Sequence, residues 1–136
     1  MSMDFAMWTA ILNTNTLGPM RIMQAWLPQV RRSAQAKVMN VTSNLGALSH
    51  DDPIFYAYSA SKAALSKFMR LAALELKREG VAIGLIHPGW VQTDIGGSGA
   101  HISPLASATG IVKGIDQLDL ENAGNFRQWD GKLHAW

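Results

Sequence analysis

The run Val81-Ala82-Ile83-Gly84-Leu85-Ile86 constrains this chain more than any other stretch. It is apolar without alternation, the pattern of a strand buried on both faces, and such strands belong to parallel sheets covered by helices. Upstream of it, residues 55–79 are rich in Ala, Leu and Lys and stop at Gly80, as a long helix would. Further upstream, residues 37–42 (KVMNVT) are short and partly β-branched and read as a strand. Strand, helix and strand form a right-handed crossover unit, so an α/β fold with parallel strands and flanking helices is expected.

The flanking segments fit that unit. Residues 4–27 carry Phe5, Trp8, Ile11 and Leu12, then Ile22, Met23, Trp26 and Leu27, at helical spacing, and Pro28 is placed to end this helix. Such Met and Trp residues are most simply core or subunit contacts. Residues 43–53 have loop composition, and the glycine-rich 89–103 segment reads as a mobile loop. Residues 104–120 read as a helix with Ser103 as N-cap and Pro104 in the first turn. Residues 125–129 read as a last strand, followed by an Asp130-Gly131 turn. Neither repeats nor low-complexity segments interrupt the 136 residues, so a single domain spanning 1–136 is expected.

Composition excludes several classes of function. The net charge is +2 and the cations are scattered, which argues against a nucleic-acid partner. No apolar stretch reaches the ~20 residues of a membrane span, and the start lacks the pattern of a secretory leader. With no cysteine there is no disulfide framework. A cytoplasmic location, with no membrane and no nucleic acid, is the expectation. His50, Asp51, Asp52 and His101 lie in loops without ligand spacing, so no metal site is expected, and Asp94 reads as a loop cap or ion-pair partner.

The candidate chemistry lies in four places. Tyr58 and Lys62 are four residues apart on the long helix and share a face. A phenol holds its proton too tightly to exchange it readily near neutrality, and a nearby ammonium favours the phenolate. Together they can act as a general acid toward a carbonyl oxygen. A surface aromatic beside a solvated lysine is the alternative. Ser43 follows the first strand directly, where ligands of open parallel sheets bind, although a lone loop serine more often caps its own backbone. Pro19 has no N–H to donate back to the Asn15 carbonyl, so the helix should kink or bulge there and free that carbonyl for an ordered water. Alternatively, Pro19 begins a second helix capped by Asn15 or Thr16. Pro88-Gly89 leaves the apolar strand toward Val91 and Thr93, either to orient an amide-bearing ring or as an ordinary exit turn.

In this order the segments Asn15-Thr16-Leu17-Gly18, Val38-Met39-Asn40-Val41-Thr42-Ser43, Tyr58-Ser59-Ala60-Ser61-Lys62 and Pro88-Gly89-Trp90-Val91-Gln92-Thr93 resemble the short-chain dehydrogenase/reductase family. His87 to Gly97 and Trp129-Asp130-Gly131 look closest to its C-factor and sniffer-like carbonyl reductase branch. The resemblance implies Tyr58 as catalytic acid/base, Lys62 as its modulator and ribose contact, Ser43 on the substrate carbonyl and Asn15 on a relay water. It implies that Pro88, Gly89, Val91 and Thr93 border the nicotinamide, that the cofactor is NAD or NADP, with NADP slightly favoured, and that residues 96–103 form a substrate lid. The implied reaction is hydride transfer between NAD(P)H and a small-molecule carbonyl or alcohol.

Two family features have no counterpart: the Gly-rich turn that holds the pyrophosphate at a helix N-terminus, and the Asn-Asn-Ala-Gly segment on the strand before residues 37–42. The expectation is therefore a partial Rossmann-type, doubly wound fold, the C-terminal portion of the family's, in the strand order 37–42, 81–86, 125–129. Cofactor binding by this chain alone would be weak or absent. The first strand would expose an edge, Leu65, Met69 and Trp90 would lose their cover, and a homo-oligomer is expected. The alternative is a non-catalytic fragment acting as an interaction or signalling module.

Overall fold

The computed structural model describes residues 3–136. The first helical region is α1 (Phe5–Leu12), a π-helical turn (Asn13–Leu17) and α2 (Gly18–Val30) in succession. Asp4 caps α1, its carboxylate accepting from the Ala6 and Met7 N–H groups at 2.9 and 3.1 Å. The wide turn falls where Pro19 withholds its hydrogen bond from Asn15. There the Gly18 N–H donates to the Asn13 carbonyl, one residue further back than in an α-helix. Pro28 does not end α2, which runs on to Val30. A proline this close to the C-terminus costs one hydrogen bond to an exposed carbonyl, and the Arg31 N–H still closes onto Leu27 at 3.0 Å.

Strand β1 (Lys37–Val41) is followed by a 3₁₀ turn (Asn44–Gly46) and the long helix α3 (Tyr56–Leu76), which tightens into a 3₁₀ turn over Lys77–Glu79. Gly80, at φ 79°, takes the left-handed conformation that releases the chain into β2 (Ala82–His87). Helix α4 (Pro104–Gln117) starts at Ser103, whose hydroxyl accepts from the Ala106 N–H at 3.1 Å. It stops three residues short of the expected end, because Leu118 turns extended and is buried. Strand β3 (Phe126–Gln128) closes the sheet, and the Asp130-Gly131 turn brings Leu133 back against Arg127.

All three strands are parallel, in the order β1-β2-β3, with Val38 opposite Ile83 and Ile86 opposite Arg127. The order is the expected one, and β2 is central, which is why its residues alone read as continuously apolar. The core joins Leu65, Met69, Ala73 and Leu76 of α3 to Val81, Ile83, Leu85 and Phe126. Leu65 and Met69, expected to lose their cover, are 2% and 1% exposed. Helix α3 lies over the strands that are present, so its inward stripe packs on β2. Exposed apolar surface lies elsewhere: on Trp90, as expected, and on Phe5, Ile22, Trp26, Leu71 and Leu74. Of the methionines and tryptophans on the first helices, Met23 enters the core while Trp26 stands 66% exposed.

The C-terminal tail ties these layers together. Trp136 packs on Phe126 at 5.5 Å between ring centroids and lies under the Arg70 guanidinium at 4.5 Å. Its carbonyl accepts from the Ser49 N–H, joining the tail to the loop after β1.

Candidate active site

The site collects at the carboxyl ends of β1 and β2. The Thr42 N–H donates inward to Ile86, so the preceding Val41 carbonyl points away from β2, toward the free edge of the sheet. The Lys62 ammonium donates to that carbonyl at 3.2 Å. The same ammonium lies 5.7 Å from the centroid of the Tyr58 ring, one turn earlier on α3. Burial holds the Lys62 amine below its ordinary value. The pairing expected from the four-residue spacing is therefore present, with Tyr58 half-buried rather than lying on open surface.

Ser43 is buried, two residues beyond Val41. Its hydroxyl accepts from the Leu45 N–H at 3.2 Å and donates to Asn44 Oδ1 at 3.3 Å. The capping alternative is thus the geometry observed, with a long donor bond that another acceptor can replace. Gly46 makes this loop possible. A Cβ at that position would stand 2.7 Å from the backbone carbon of Lys62, so only glycine lets the Ser43 loop lie against the Tyr58–Lys62 turn of α3.

Asn15 lies in the π-helical turn, with its side chain turned toward α3. Its Nδ2 donates to Ser61 Oγ at 3.1 Å, and Ser61 Oγ donates to the Tyr58 carbonyl at 2.7 Å. The next residue, Thr16, donates its hydroxyl to the Ser61 carbonyl at 2.9 Å. Farther along α3, Ser66 shares a 2.7 Å hydrogen bond with Thr42. Ser61, Ser66, Thr42 and Gly46 were not given roles from the sequence, and Thr16 was considered only as a helix cap. Thr16, Thr42 and Ser61 had a signal, their places inside the segments that carry the family resemblance.

The second loop leaves β2 through Pro88 and Gly89. The Pro88 carbonyl accepts from the buried Ser107 hydroxyl at 2.7 Å. Gly89 has φ 84°, and a side chain there would run into Ile102 and Trp129. Val91 bridges to Ile102, and the Thr93 hydroxyl accepts from the Gly96 N–H at 3.2 Å. Trp90 Nε1 donates to the Gly96 carbonyl at 2.7 Å, and Gln92 Nε2 to the Ala100 carbonyl at 3.2 Å. The 89–103 segment folds on itself, with the Trp90, Gln92 and Thr93 side chains bonded to the Gly96 and Ala100 backbone at the start of the stretch that the resemblance implies is a lid.

His87, at the end of β2, was not anticipated as part of this region. Burial pushes its imidazole down to about 4, and His134 and His50 add to the shift. His134 meets it edge-on at 6.0 Å, and His50 pairs with Asp52 at 3.2 Å. Among the described residues no three acidic, histidine or cysteine side chains are placed to hold a metal ion.

Residues 1–101 match the family model for short-chain dehydrogenases. The chain is 40% identical to the C-signal of Myxococcus xanthus over 98% of its own length and 81% of that protein. It is 35% identical to the 1-hydroxy-2-glutathionyl-2-methyl-3-butene dehydrogenase of Rhodococcus, of which it covers 61%. Among solved structures, it superposes on the NADPH-bound carbonyl reductase from chicken fatty liver with TM-score 0.89 and 29% identity, covering 98% of this chain and 59% of that one. For the carbonyl reductase Sniffer of Drosophila melanogaster the TM-score is 0.87 at 32% identity, covering 92% of this chain and 55% of that one. The chain therefore spans most of one relative and about three-fifths of the others.

Proposed function

Because the chain belongs to the short-chain dehydrogenase family, we propose that it carries the proton-donating and nicotinamide-facing part of an NAD(P)H-dependent carbonyl reductase. The observation that supports this most is the Tyr58–Lys62–Val41 arrangement: an ammonium fixed on a strand-end carbonyl beside a half-buried phenol. The Lys62 ammonium has further N–H donors beyond the one given to Val41, and these fit ribose hydroxyls. Gly89, at φ 84°, lets the β2 exit turn pack under Ile102 and Trp129, and the turn carries Pro88, Val91 and Thr93 to the carboxyl end of the sheet, where a flat amide-bearing ring would be bordered by them. The fit covers the nicotinamide half of the cofactor, since no residues here match the family's pyrophosphate turn.

NAD(P)H held there would supply the hydride for the carbonyl carbon. Tyr58 gives its proton to the carbonyl oxygen, which leaves an alcohol and a phenolate that Lys62 stabilises. Ser43 exchanges its long bond to Asn44 for the substrate oxygen. The main-chain carbonyl of Asn15, left without a donor by Pro19, holds the water through which Tyr58 and Lys62 recover the proton. NADP is the favoured cofactor, supported by the NADPH in the chicken carbonyl reductase. The substrate is a small carbonyl compound, and the setting is cytoplasmic. No helix among the described residues is long and apolar enough to cross a membrane.

A homo-oligomer belongs to this reading. The outer edge of β1 is unpaired, and its one charged residue, Lys37, is drawn off to the Ile115 and Asp116 carbonyls at 3.2 and 2.9 Å. Beside that edge runs a groove of about 340 Å³ between β1 and α2, lined by Ile22, Trp26 and Met69 among others. An edge whose single charge is turned away, and which has neither proline nor bulge, invites another strand.

Titration with NADPH and NADH, read by tryptophan quenching, and reduction of a carbonyl probe test the enzymatic reading. Saturable binding and turnover that Tyr58→Phe abolishes support it. The likeness to a protein named C-signal favours a second reading, a non-catalytic signalling or interaction module. Under that reading Tyr58→Phe leaves the biological activity intact.

A further inference from the structure

We propose that Ser61 is a positioning residue that locks the Asn15 turn to the Tyr58–Lys62 helix; this rests on the carbonyl reductase reading. The Ser61 side chain is fully buried. Its hydroxyl has one proton and spends it on the Tyr58 carbonyl at 2.7 Å, while one of its lone pairs takes the Asn15 amide at 3.1 Å. Each bond lies inside the hydrogen-bond range and each partner belongs to the candidate catalytic set. Its own carbonyl accepts from Thr16 at 2.9 Å, so two consecutive residues of the π-helical turn are fastened to this one serine.

Two consequences follow from the chemistry. One N–H of the Asn15 amide is spent on Ser61, which holds that side chain against α3. The rotation of α3 is fixed at the residue immediately before Lys62, and therefore so is the direction in which Lys62 reaches for Val41. The π-helical turn makes this possible: one extra residue per turn rotates Asn15 and Thr16 onto α3. A serine fits because it both donates and accepts within the volume of a small side chain.

The test is a double-mutant cycle on the full chain, with Asn15→Ala, Ser61→Ala and the pair, read in two ways. In urea unfolding each single change is expected to lower the folding equilibrium constant about 2- to 10-fold, and the pair no more than the worse single. With NADPH and a carbonyl probe, Ser61→Ala is expected to lower kcat at least tenfold with little change in KM, and Ser61→Thr, which keeps the hydroxyl, to recover part of it. Additive unfolding losses would overturn the lock. Coupled unfolding with an unchanged kcat, or with KM and kcat shifted alike, would overturn the positioning role. Absence of turnover in the wild type would instead strike the carbonyl reductase reading and, with it, any catalytic role for Ser61. The unfolding cycle would then still decide the lock.

Discussion

Lys62 and Val41 are joined by a 3.2 Å hydrogen bond from the ammonium to the last carbonyl of β1, on the side of the strand that faces away from β2. That bond fixes the ammonium beside the Tyr58 ring, and it places the candidate chemistry at the same sheet edge that lacks a partner strand.

Removing the phenolic hydroxyl separates chemistry from binding. Tyr58→Phe is expected to lower NADPH-dependent carbonyl reduction by ~10²-fold or more, the scale of lost general acid catalysis. It should leave cofactor quenching and the melting temperature nearly unchanged, because the ring and its packing remain. Steady-state kinetics with fluorescence titration check both halves.

Gly46→Ala is expected to destabilise the fold by about 1–3 kcal/mol, the usual scale of forced overpacking. The new Cβ would meet the Lys62 backbone carbon at 2.7 Å and the Ala63 nitrogen at 2.8 Å, and backbone cannot step aside as a flexible side chain can. Urea denaturation measures the loss, and the variant should lose activity along with stability as the Ser43 loop is pushed off α3.

Acid should weaken the fold through His87. Its value is lowered from 6.5 to about 4 by burial, then by His134 and His50. Between these values the unfolded chain binds a proton that the folded chain refuses, so stability rises with pH in this window. The contribution is complete above about 6.5 and is lost as pH falls toward 4. Unfolding midpoints at several pH values should trace that decline, and His87→Asn, which cannot titrate, should flatten it. An unchanged slope would mean that carboxylates carry the acid sensitivity.

The free edge predicts association. Light scattering is expected to find the wild type larger than a monomer. The Val41 N–H points to the same side as its carbonyl, away from β2, so Val41→Pro removes an edge donor without breaking a ladder bond within the sheet. That variant should shift the population toward monomer. A wild type that is cleanly monomeric would remove the case for edge pairing.

Much of this architecture was legible in local patterns. The apolar run of β2, the Gly80 stop and the Ser103 cap read correctly, because each depends on neighbours within a few residues, whereas the strand order followed from the family resemblance. The bulge at Asn15 was legible for the same reason, since a missing N–H at Pro19 bears on one carbonyl four residues away. Pro28 misled because a proline in the last turn breaks only one exposed bond. Leu65 and Met69 misled because their cover depends on where α3 lies across the sheet.

The sequence by itself determined the element types, their order and the Tyr58–Lys62 face, all set by backbone periodicity and short-range hydrogen bonding. Only the tertiary structure decided that Ser61 joins Asn15 across 46 residues, that Gly46 rests on the Lys62 backbone, and that Lys62 reaches Val41. Those contacts arise when packing fixes the rotation of α3 against β1 and the π-helical turn, and no local pattern along the chain encodes that rotation.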